Sequence, residues 1–452
     1  MHFDSDMLTH IIMQMPAHIY MVGIGGIGMS ALAQLLQHQG KDVSGSDREE
    51  SPTTALLAQK GIRVEIGHPP TVGVRAGDGC TIPADCELLV YSDAVPESNA
   101  ERQRAKEMGI KEMSYFEAIG AVSKNTRTIA VAGTHGKTTT TGMLAKILQY
   151  CGKEPTAIVG SIVRDFGSNF LAGTDDPFIV EACEYRDHLL KLSPQILVIT
   201  NIELDHTDYF PDLAALQETF KKAVERVPEG GVIVTNPSDP IIAAVLGNSK
   251  APIIDYTTQT VPTLTLIGEF NRHNAMAAKA AARAAFPHLD ESFTDKALLE
   301  FKGSWRRFEY KGETPTGATV FDDYAHHPTA VSKTIEAARE AYPDKKIVVA
   351  FHPHLYSRTK SFLNEFARAL ALADRSIIAP IYAARETLDP TVSNHILAQK
   401  INEVGGHAIA LDSFDEIRKA LLTINSQLST DNCLIITMGA GDIYKVAEQI
   451  AD

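Results

Sequence analysis

Cysteine is scarce in this sequence, with five cysteines in 452 residues, and no two of them have the CxxC spacing of a zinc or redox site. An odd number of scattered cysteines argues against a disulfide framework and against a structural zinc site. A reducing compartment fits this usage best, and we therefore expect a cytoplasmic protein.

The sequence also has few long apolar runs and fewer basic than acidic residues. The first 17 residues carry Asp4, Asp6 and two histidines and lack a basic start or an apolar core, so we expect neither a signal peptide nor a membrane span. Lysine and arginine total 42 against 56 acidic residues, which gives a net charge of −14. Because binding to a phosphate backbone needs excess positive charge, we expect no nucleic acid and no membrane among the partners.

The sequence does contain enough apolar material for several cores. It is 44% hydrophobic and 22% charged, which is typical of a globular protein. A chain of this length corresponds to about three domains at ~150 residues each. Strand patterns and helix patterns alternate along the chain, which predicts an α/β protein.

The most informative stretch is TIAVAGTHGKTTTTGM, residues 128–143. A buried-strand pattern runs into the Gly-rich turn GTHG, and a helical pattern follows. The backbone N–H groups of such a turn favour phosphate, Lys137 can reach a β- or γ-phosphate, and the Thr138 hydroxyl can ligate Mg²⁺. The spacing is shorter than GxxxxGK[ST], because Val131 stands where that pattern has its first glycine. The alternative is an ordinary strand-to-helix turn without a ligand. Lys137 and Thr138, directly after the last glycine of the turn, disfavour this alternative.

A second Gly-rich turn lies near the start of the chain, where the strand pattern HIYMVGI leads into GIGGIGM. Gly23, Gly25 and Gly28 satisfy GxGxxG between a strand and a helix. Asp47 ends the next strand, where a dinucleotide-binding fold places its ribose-binding acid. Taken alone this pattern indicates an NAD-dependent oxidoreductase, but the same turn binds any nucleotide diphosphate.

Acidic residues and a histidine follow two strands of the central region. Glu181 ends the strand in PFIVEACE, and His206 follows the strand in QILVITN. Because ligands bind at the carboxyl ends of such strands, both residues can complete a Mg²⁺ site. For His206 a hydrogen-bonded core residue is an equal alternative, since histidine is an unusual Mg²⁺ ligand. Asn271 and Asn274 open a later helix and could contact a purine or simply cap the helix.

Basic and aromatic side chains gather in the last third of the chain. Arg306 and Arg307 precede a domain change and could clamp a polyphosphate, or could lie in a solvated turn. Four strand patterns then end in polar or Gly-rich clusters, DDYAHHP, HPHLYSR, IYAARE and MGAGD. One edge of this predicted sheet is therefore rich in candidate binding residues.

Eight motifs occur in one order along the chain: GIGGIGMS, AGTHGKTTTT, EACE, TNIELDH, GEFNRHN, WRRF, DDYAHHP and HPHLYSR. Together they closely resemble the Mur ligases of peptidoglycan synthesis, over the chain from about His18 to Met438. The resemblance implies an ATP-dependent acid–amino-acid ligase that uses Mg²⁺. The implied reaction couples the lactyl carboxylate of UDP-N-acetylmuramate to the amine of L-alanine through an acyl phosphate. We expect a monomer or homodimer.

The resemblance also predicts the domains and their boundaries. Residues 1–124 form a Rossmann-like domain that binds the UDP-sugar, 125–304 a central ATP-binding domain with a P-loop-type ATPase sheet, and 305–452 a Rossmann-like domain that binds the amino acid. The polar stretch from Ala121 to Arg127 predicts the first linker.

Roles for individual residues follow from the same resemblance. The implied UDP-sugar contacts are Gly23, Gly25, Gly26, Gly28, Met29, Ser30, Asp47 and Ser92. The implied ATP contacts are Gly133, Thr134, His135, Gly136, Lys137, Thr138, Thr139, Asn271, Arg307 and Asp323. The implied amino-acid contacts are Tyr324, His326 and Arg358, the last on the alanine carboxylate. The implied Mg²⁺ ligands are Thr138, Glu181 and His206, and the implied catalytic residues are Lys137, Glu181, His206 and Arg307.

The chain departs from the family pattern in three places. Cys183 stands in place of the acid in EADE, although Glu181 is kept. Leu355 stands where the family commonly has arginine, which removes a cation from the predicted amino-acid pocket. Arg385 stands where the family often has glycine, and we hypothesise that it supplies the missing charge. Arg385→Gly should then raise the Michaelis constant for the amino acid, and an unchanged constant would contradict the hypothesis.

Three alternatives stay open. A murein tripeptide recycling ligase shares GTHGKTTT and DDxAHHP but takes a peptide, whereas HPHLYSR and GIGGIGMS favour the alanine-adding reaction. An NAD-dependent oxidoreductase explains the first turn but not Lys137, and NADH fluorescence on mixing would distinguish it. A non-catalytic nucleotide-binding module does not explain why Lys137, Glu181 and His206 occur together.

Overall fold

The computed structural model describes residues 15–67, 82–384, 386–427 and 432–451, which form two compact units. The first unit consists of the chain up to Ile202, Gln217–Pro262 and Asn274–Phe301. The second consists of Glu203–Leu216, Thr263–His273 and the chain from Lys302 onward. Within the described residues, no helix combines the length and the hydrophobicity that a membrane crossing needs.

The first unit begins with a five-stranded sheet. Its strands are β1 (His18–Val22), β2 (Asp42–Asp47), β3 (Arg63–Ile66), β4 (Leu88–Tyr91) and β5 (Lys111–Ser114). The helices of this part are α1 (Ile27–His38), α2 (Pro52–Gln59), α3 (Ala100–Glu107) and α4 (Tyr115–Ser123). All pairs are parallel and the order is β3-β2-β1-β4-β5. The order reverses between β1 and β4, and ligands bind beside such a reversal, at the carboxyl ends of the strands.

The predicted linker is partly wrong, because α4 extends to Ser123 and so includes the first residues of that stretch. The Ser123 hydroxyl donates to the Gly120 carbonyl (2.9 Å) and accepts from the Ser193 backbone N–H (3.1 Å). The last turn of this helix is therefore anchored within the first unit.

A seven-stranded sheet follows in the first unit. Its strands are β6 (Thr128–Ala132), β7 (Pro155–Val163), β8 (Ser168–Leu171), β9 (Asp175–Glu181), β10 (Ile196–Ile199), β11 (Val232–Thr235) and β12 (Ile253–Asp255). The order is β12-β11-β10-β6-β9-β7-β8, and only β8 is antiparallel to its neighbour. The helices of this stretch of chain are α5 (Lys137–Tyr150), α6 (Leu213–Arg226), α7 (Pro240–Leu246), α8 (Glu269–Ala285) and α9 (Glu291–Leu299), with 3₁₀ segments at Tyr185–Lys191 and Tyr256–Thr258.

The second unit contains a six-stranded sheet. Its strands are β13 (Glu309–Glu313), β14 (Thr319–Asp323), β15 (Lys346–Phe351), β16 (Arg375–Ile378), β17 (Ala408–Ala410) and β18 (Cys433–Met438). The order is β13-β14-β18-β15-β16-β17, with β13 antiparallel. The helices are α10 (Pro328–Ala341), α11 (Tyr356–Ser361), α12 (Leu363–Leu370), α13 (Asn394–Glu403), α14 (Phe414–Gln427) and α15 (Tyr444–Ile450).

The continuous apolar run of β15 shows why this sheet is buried on both faces. Ile347, Val349 and Phe351 pack into one core cluster. Val348 and Ala350 pack into a second cluster. Alternate residues of a strand point to opposite faces, so a strand that is covered on both sides must be apolar throughout. The predicted α/β architecture with three sheets is confirmed, while the predicted domain boundaries stay a prediction.

Candidate active site

The Gly-rich loop between β6 and α5 depends on two glycines with positive φ, Gly133 (130°) and Gly136 (83°). A Cβ atom added at Gly133 would collide with Thr200 and Asn201, and one added at Gly136 would collide with Asn274. Gly136 is the N-cap of α5, and no side chain caps the helix there. The N–H groups of the first helical turn therefore face a turn that is built from glycine, which is the arrangement that binds phosphate.

Two residues after β10 hold this loop in place. The His135 backbone N–H donates to Asn201 Oδ1 (2.9 Å), and Asn201 Nδ2 donates back to the His135 carbonyl (3.0 Å). The Thr200 hydroxyl donates to the same carbonyl (2.6 Å). Neither residue was predicted from the sequence, although both belong to the stretch QILVITN. Their loop partner lies 65 or 66 residues earlier, and no local pattern encodes that pairing.

The Lys137 ammonium is surrounded by oxygen atoms. It donates to the carbonyls of Gly133 and Thr134 (3.2 Å to the latter) and to both carboxylate oxygens of Glu184 (3.1 and 3.0 Å). Burial alone would lower the pKa of Lys137, but nearby negative charge, above all that of Glu184, raises it. Lys137 is therefore a cation at neutral pH. The structure makes Glu184, the last residue of EACE, the partner of Lys137.

The Glu181 carboxylate at the end of β9 lies beside the start of α5. The Thr138 hydroxyl donates to Glu181 Oε2 (3.1 Å), and the Gly160 backbone N–H donates to Oε1. A Cβ atom added at Gly160 would lie only 2.5 to 2.9 Å from the carboxylate atoms, so a side chain at this position would force the carboxylate to move. A carboxylate and a hydroxyl are hard oxygen donors of the kind that Mg²⁺ prefers, so the donors present fit this ion. Gly160 was not predicted from the sequence as part of this site.

The threonines behind Lys137 have different surroundings. Thr139 is buried. The Thr141 hydroxyl donates to the Lys137 carbonyl (2.8 Å), and the Thr140 hydroxyl donates to Asn274 Oδ1 (3.3 Å). Asn274 therefore secures the start of α5, a role that differs from both the purine contact and the helix cap considered for it.

The first Gly-rich turn lies at the carboxyl ends of β1, β2 and β4. Gly23 has φ of 76°, and a Cβ atom there would lie 3.0 Å from Ser92 Cβ. The Gly25 backbone N–H donates to Asp47 Oδ2 (2.7 Å). The structure thus brings four of the predicted UDP-sugar residues together at the reversal of strand order.

The other predicted residues of this turn begin α1. Gly26 is its N-cap and no side chain caps the helix, as at the second Gly-rich loop. Met29 and Ser30 are buried in its first turns. The Ser30 hydroxyl donates to the Ile27 carbonyl (3.1 Å) and accepts from Asn169 Nδ2 (2.9 Å). Ser30 therefore has partners within the protein, and its predicted contact with the UDP-sugar stays a prediction.

In the second unit, the Arg358 guanidinium binds a buried aspartate. Its Nε and Nη2 atoms donate to Asp205 Oδ1 (2.9 and 2.8 Å), and Nη1 donates to His354 Nδ1 (2.9 Å). The two side chains of the ion pair are 3% and 8% exposed. Burial would raise the pKa of Asp205, but Arg358 holds it well below its usual range. The predicted contact of Arg358 with an amino-acid carboxylate stays a prediction. His354, which was not predicted from the sequence, lies before the first residue of α11, so no helical spacing signalled its contact with Arg358.

His326 and Tyr324 lie in the same unit. His326 Nδ1 donates to the Tyr324 carbonyl (2.9 Å). Burial, and then the charge of Arg358, hold the pKa of His326 well below its usual range. His326 is therefore neutral at pH 7, and its ring can accept a proton or a hydrogen bond through the remaining nitrogen.

The two adjacent arginines have opposite environments. Arg306 is buried and donates to Asp322 Oδ2 (2.7 Å) and to the carbonyls of Gly441 (2.9 Å) and Gly439 (2.5 Å). The idea that both arginines bind a polyphosphate is therefore wrong for Arg306, whose donors are used inside the protein. Arg307 is only half-buried, and both guanidinium groups lie near the Tyr324 ring, 5.3 Å from its centroid for Arg306 and 5.1 Å for Arg307.

Asp323 and Asn271 are also engaged by the backbone of the second unit. Asp323 accepts from the N–H groups of Phe308 and Ala325 (both 2.7 Å). Burial raises the pKa of Asp323 to about 6, against the opposing effect of Arg307. Asn271 Nδ2 donates to the Ile267 carbonyl (2.8 Å). Their predicted ATP contacts, like that of Arg307, stay predictions.

The remaining predictions concern the predicted metal ligand His206 and the two departures from the family pattern, Leu355 and Arg385. His206 has φ of 53° and belongs to the second unit, whereas Thr138 and Glu181 belong to the first, so its role as a Mg²⁺ ligand stays a prediction. Leu355 is buried with φ of 71°. Arg385 lies outside the described residues, so the hypothesis that it supplies the missing positive charge is untested.

The fold and the two Gly-rich turns define an α/β protein built to bind nucleotide phosphates. Three family models match successive parts of the chain: the Mur ligase family catalytic domain over residues 18–127, the Mur ligase middle domain over 131–262 and the Mur ligase glutamate ligase domain over 306–441. Together with the relatives described next, these matches show that the chain belongs to the Mur ligase family, as its motifs predicted.

Curated relatives match the chain over nearly its full length. The UDP-N-acetylmuramate–L-alanine ligases of Lachnospira eligens and Caldicellulosiruptor saccharolyticus are 38% and 36% identical, and each match covers 96% of this chain and 98% of the relative. Among solved structures, the UDP-N-acetylmuramate-alanine ligase MurC of Thermotoga maritima has a TM-score of 0.76 at 27% identity, covering 96% of this chain and 98% of that one. A murein peptide ligase of Psychrobacter arcticus shares the fold, with a TM-score of 0.68 at 24% identity over 97% of this chain and 100% of that one.

Proposed function

We propose that this chain is an ATP-dependent ligase that joins L-alanine to UDP-N-acetylmuramate in peptidoglycan precursor synthesis. The observation that carries the proposal is the charged Lys137 ammonium at a Gly-rich helix start, beside the Glu181 carboxylate. The choice of substrates is supported by the relatives that are 36% and 38% identical over nearly the whole chain and carry that name. A cytoplasmic location and a monomeric or homodimeric state complete the proposal.

The residues fit the chemistry that this reaction needs. A carboxylate is a poor electrophile, so the γ-phosphoryl group of ATP must first be transferred to a carboxylate oxygen, which gives an acyl phosphate and ADP. The amine of L-alanine then attacks the acyl carbon, the C–N bond forms, phosphate leaves, and the amine loses a proton. Lys137 stabilises the charge on the transferred phosphoryl group. Magnesium held by Thr138 and Glu181, with His206 as the family resemblance implies, would neutralise phosphate charge.

The other assigned residues have defined places in this proposal. The turn from Gly23 to Ser30, with Asp47 and Ser92, binds the UDP-sugar. Tyr324, His326 and Arg358 bind L-alanine, and we propose the same role for Arg385. Asn271, Arg307 and Asp323 complete the ATP site.

Phosphate release from ATP tests the proposal directly. Purified protein with Mg²⁺, ATP and UDP-N-acetylmuramate is assayed with L-alanine, L-serine, glycine or the murein tripeptide as the acceptor. We expect release to depend on both UDP-N-acetylmuramate and L-alanine. Release with only the tripeptide would instead support the recycling ligase, and no turnover with any acceptor would support a non-catalytic nucleotide-binding protein.

We expect the absence of a side chain at Gly160 to affect how strongly the protein binds Mg²⁺. We expect Gly160→Ala to raise the Mg²⁺ concentration for half-maximal rate roughly tenfold, equivalent to about 1.4 kcal/mol, because the added methyl group displaces the Glu181 carboxylate. Initial rates against Mg²⁺ and direct Mn²⁺ binding by electron paramagnetic resonance measure the effect. Gly230→Ala is the matched control, since a Cβ atom there meets nothing within 4 Å. An unchanged Mg²⁺ and Mn²⁺ dependence in Gly160→Ala would rule out this role.

A further inference from the structure

Tyr115 lies against the first Gly-rich turn. A Cβ atom added at Gly28 would lie 2.6 Å from Tyr115 Cζ and 2.7 Å from its hydroxyl oxygen, so the ring occupies the space that this glycine leaves free. Burial raises the pKa of Tyr115, and the charge of Glu181 raises it further. The phenol is therefore protonated at neutral pH and can donate a hydrogen bond.

The tyrosine is held firmly in this position. It is the first residue of α4, which begins with a capping box in which the Glu117 N–H donates to Ser114 Oγ (3.2 Å) and the Ser114 N–H donates to Glu117 (2.9 Å). The neighbouring Phe116 ring makes an edge contact with Tyr115 and stacks on His188 with centroids 3.5 Å apart. A ring fixed by its helix and its neighbour is suited to precise ligand contact.

The Tyr115 hydroxyl is available to a ligand. No residue in the described part of the chain forms a hydrogen bond with it, and the side chain is partly exposed. Tyrosine hydroxyls in largely apolar or enclosed surroundings usually find a hydrogen-bond partner. A hydroxyl that is accessible and lacks a protein partner therefore indicates a polar group supplied from outside the chain.

We propose that the Tyr115 hydroxyl donates a hydrogen bond to the lactyl carboxylate of the sugar-nucleotide substrate. This inference rests on the proposed function. A substrate whose diphosphate lies at the Gly23–Ser30 turn must extend its carboxylate toward Lys137 and Glu181, where the phosphoryl group is transferred. Tyr115 contacts the turn at Gly28, and the adjacent Phe116 stacks on His188 in the segment that follows Glu181, so the hydroxyl lies along that path.

The test uses Tyr115→Phe, which removes only a hydroxyl that has no partner in the described chain. Calorimetry without ATP compares UDP-N-acetylmuramate with UDP-N-acetylglucosamine, which lacks the lactyl carboxylate. We expect Tyr115→Phe to bind UDP-N-acetylmuramate roughly tenfold more weakly, because a hydrogen bond to a charged group is lost. Binding of UDP-N-acetylglucosamine and the Michaelis constants for ATP and L-alanine should stay within about twofold of wild type.

Tyr150→Phe provides the matched control, because Tyr150 ends α5 and its hydroxyl donates to Glu300 (3.3 Å). This variant should bind both sugar nucleotides as wild type does. Unchanged binding in Tyr115→Phe, or an equal loss with both sugar nucleotides, would overturn the inference while the proposed function stands. A wild-type protein that neither binds UDP-N-acetylmuramate nor releases phosphate with it would overturn both.

Discussion

Replacing Lys137 by methionine is expected to lower kcat/KM roughly a thousandfold, because one preorganised charge at a developing anion contributes about 3–4 kcal/mol of transition-state stabilisation. The ammonium is held at the Gly-rich loop by the carbonyls of Gly133 and Thr134 and by Glu184, so its charge already lies at the turn where a phosphate would bind. Phosphate release with saturating ATP, UDP-N-acetylmuramate and L-alanine measures the loss.

A stability effect must be separated from this catalytic effect, because Lys137→Met also removes the cation that pairs with the Glu184 carboxylate, whose side chain is only 2% exposed. Lys146→Met provides the matched control on the same helix. Lys146 is 17% exposed against 18% for Lys137, and it also pairs with an acid that is 2% exposed, Asp165 (3.0 Å). We expect similar destabilisation in both variants but near wild-type kcat/KM in Lys146→Met. Equal loss of activity in the two variants would show that Lys137 contributes through folding alone.

Replacing Arg358 by alanine is expected to destabilise the second unit by about 3–5 kcal/mol at pH 7, because the change leaves a buried carboxylate without its cation. Asp205 and Arg358 are 8% and 3% exposed, so solvent does little to compensate. Trp305, the single tryptophan of the chain, belongs to the second unit. Its fluorescence during urea unfolding therefore follows this unit, which matters because a chain with two compact units need not unfold in one step.

The pH dependence gives this prediction a distinct signature. Arg358 lowers the pKa of Asp205 in the folded state, so the stabilisation is present above the unfolded pKa of aspartate, about 3.9, and is lost as the pH falls below it. The difference between wild type and Arg358→Ala should thus be full at neutral pH and shrink toward pH 3. Arg368→Ala serves as the control, because this side chain is 67% exposed in its pair with Glu365 and should cost less than about 0.5 kcal/mol. A full difference that persists at low pH would contradict the ion-pair explanation.

The sequence by itself determined the class of fold and the position of both Gly-rich turns. Strand and helix periodicity are local properties, and a Gly-rich turn followed directly by a helix is contiguous, so both can be read without knowing which elements are neighbours. The strand that leads into GTHGKT was predicted to end at Ala132, and it does. The order of the motifs was likewise sufficient to identify the family.

The tertiary structure alone decided which side chains face one another. Lys137 pairs with Glu184 across 47 residues, and Arg358 pairs with Asp205 across 153. Parallel sheets bring the ends of strands together in an order that differs from the order of the chain, so such partners have no fixed spacing. Gly160 illustrates the same point, because its lack of a side chain has meaning only beside the Glu181 carboxylate.

Arg306 and Arg307 have different environments that the sequence could not predict. The two residues are identical and adjacent, yet Arg306 has φ of 60° and is buried against Asp322, while the side chain of Arg307 is only half-buried. Backbone conformation at a single residue decides which of two identical side chains enters the interior. That conformation is set by packing around the loop, because an arginine with positive φ is unfavourable unless the surrounding contacts impose it.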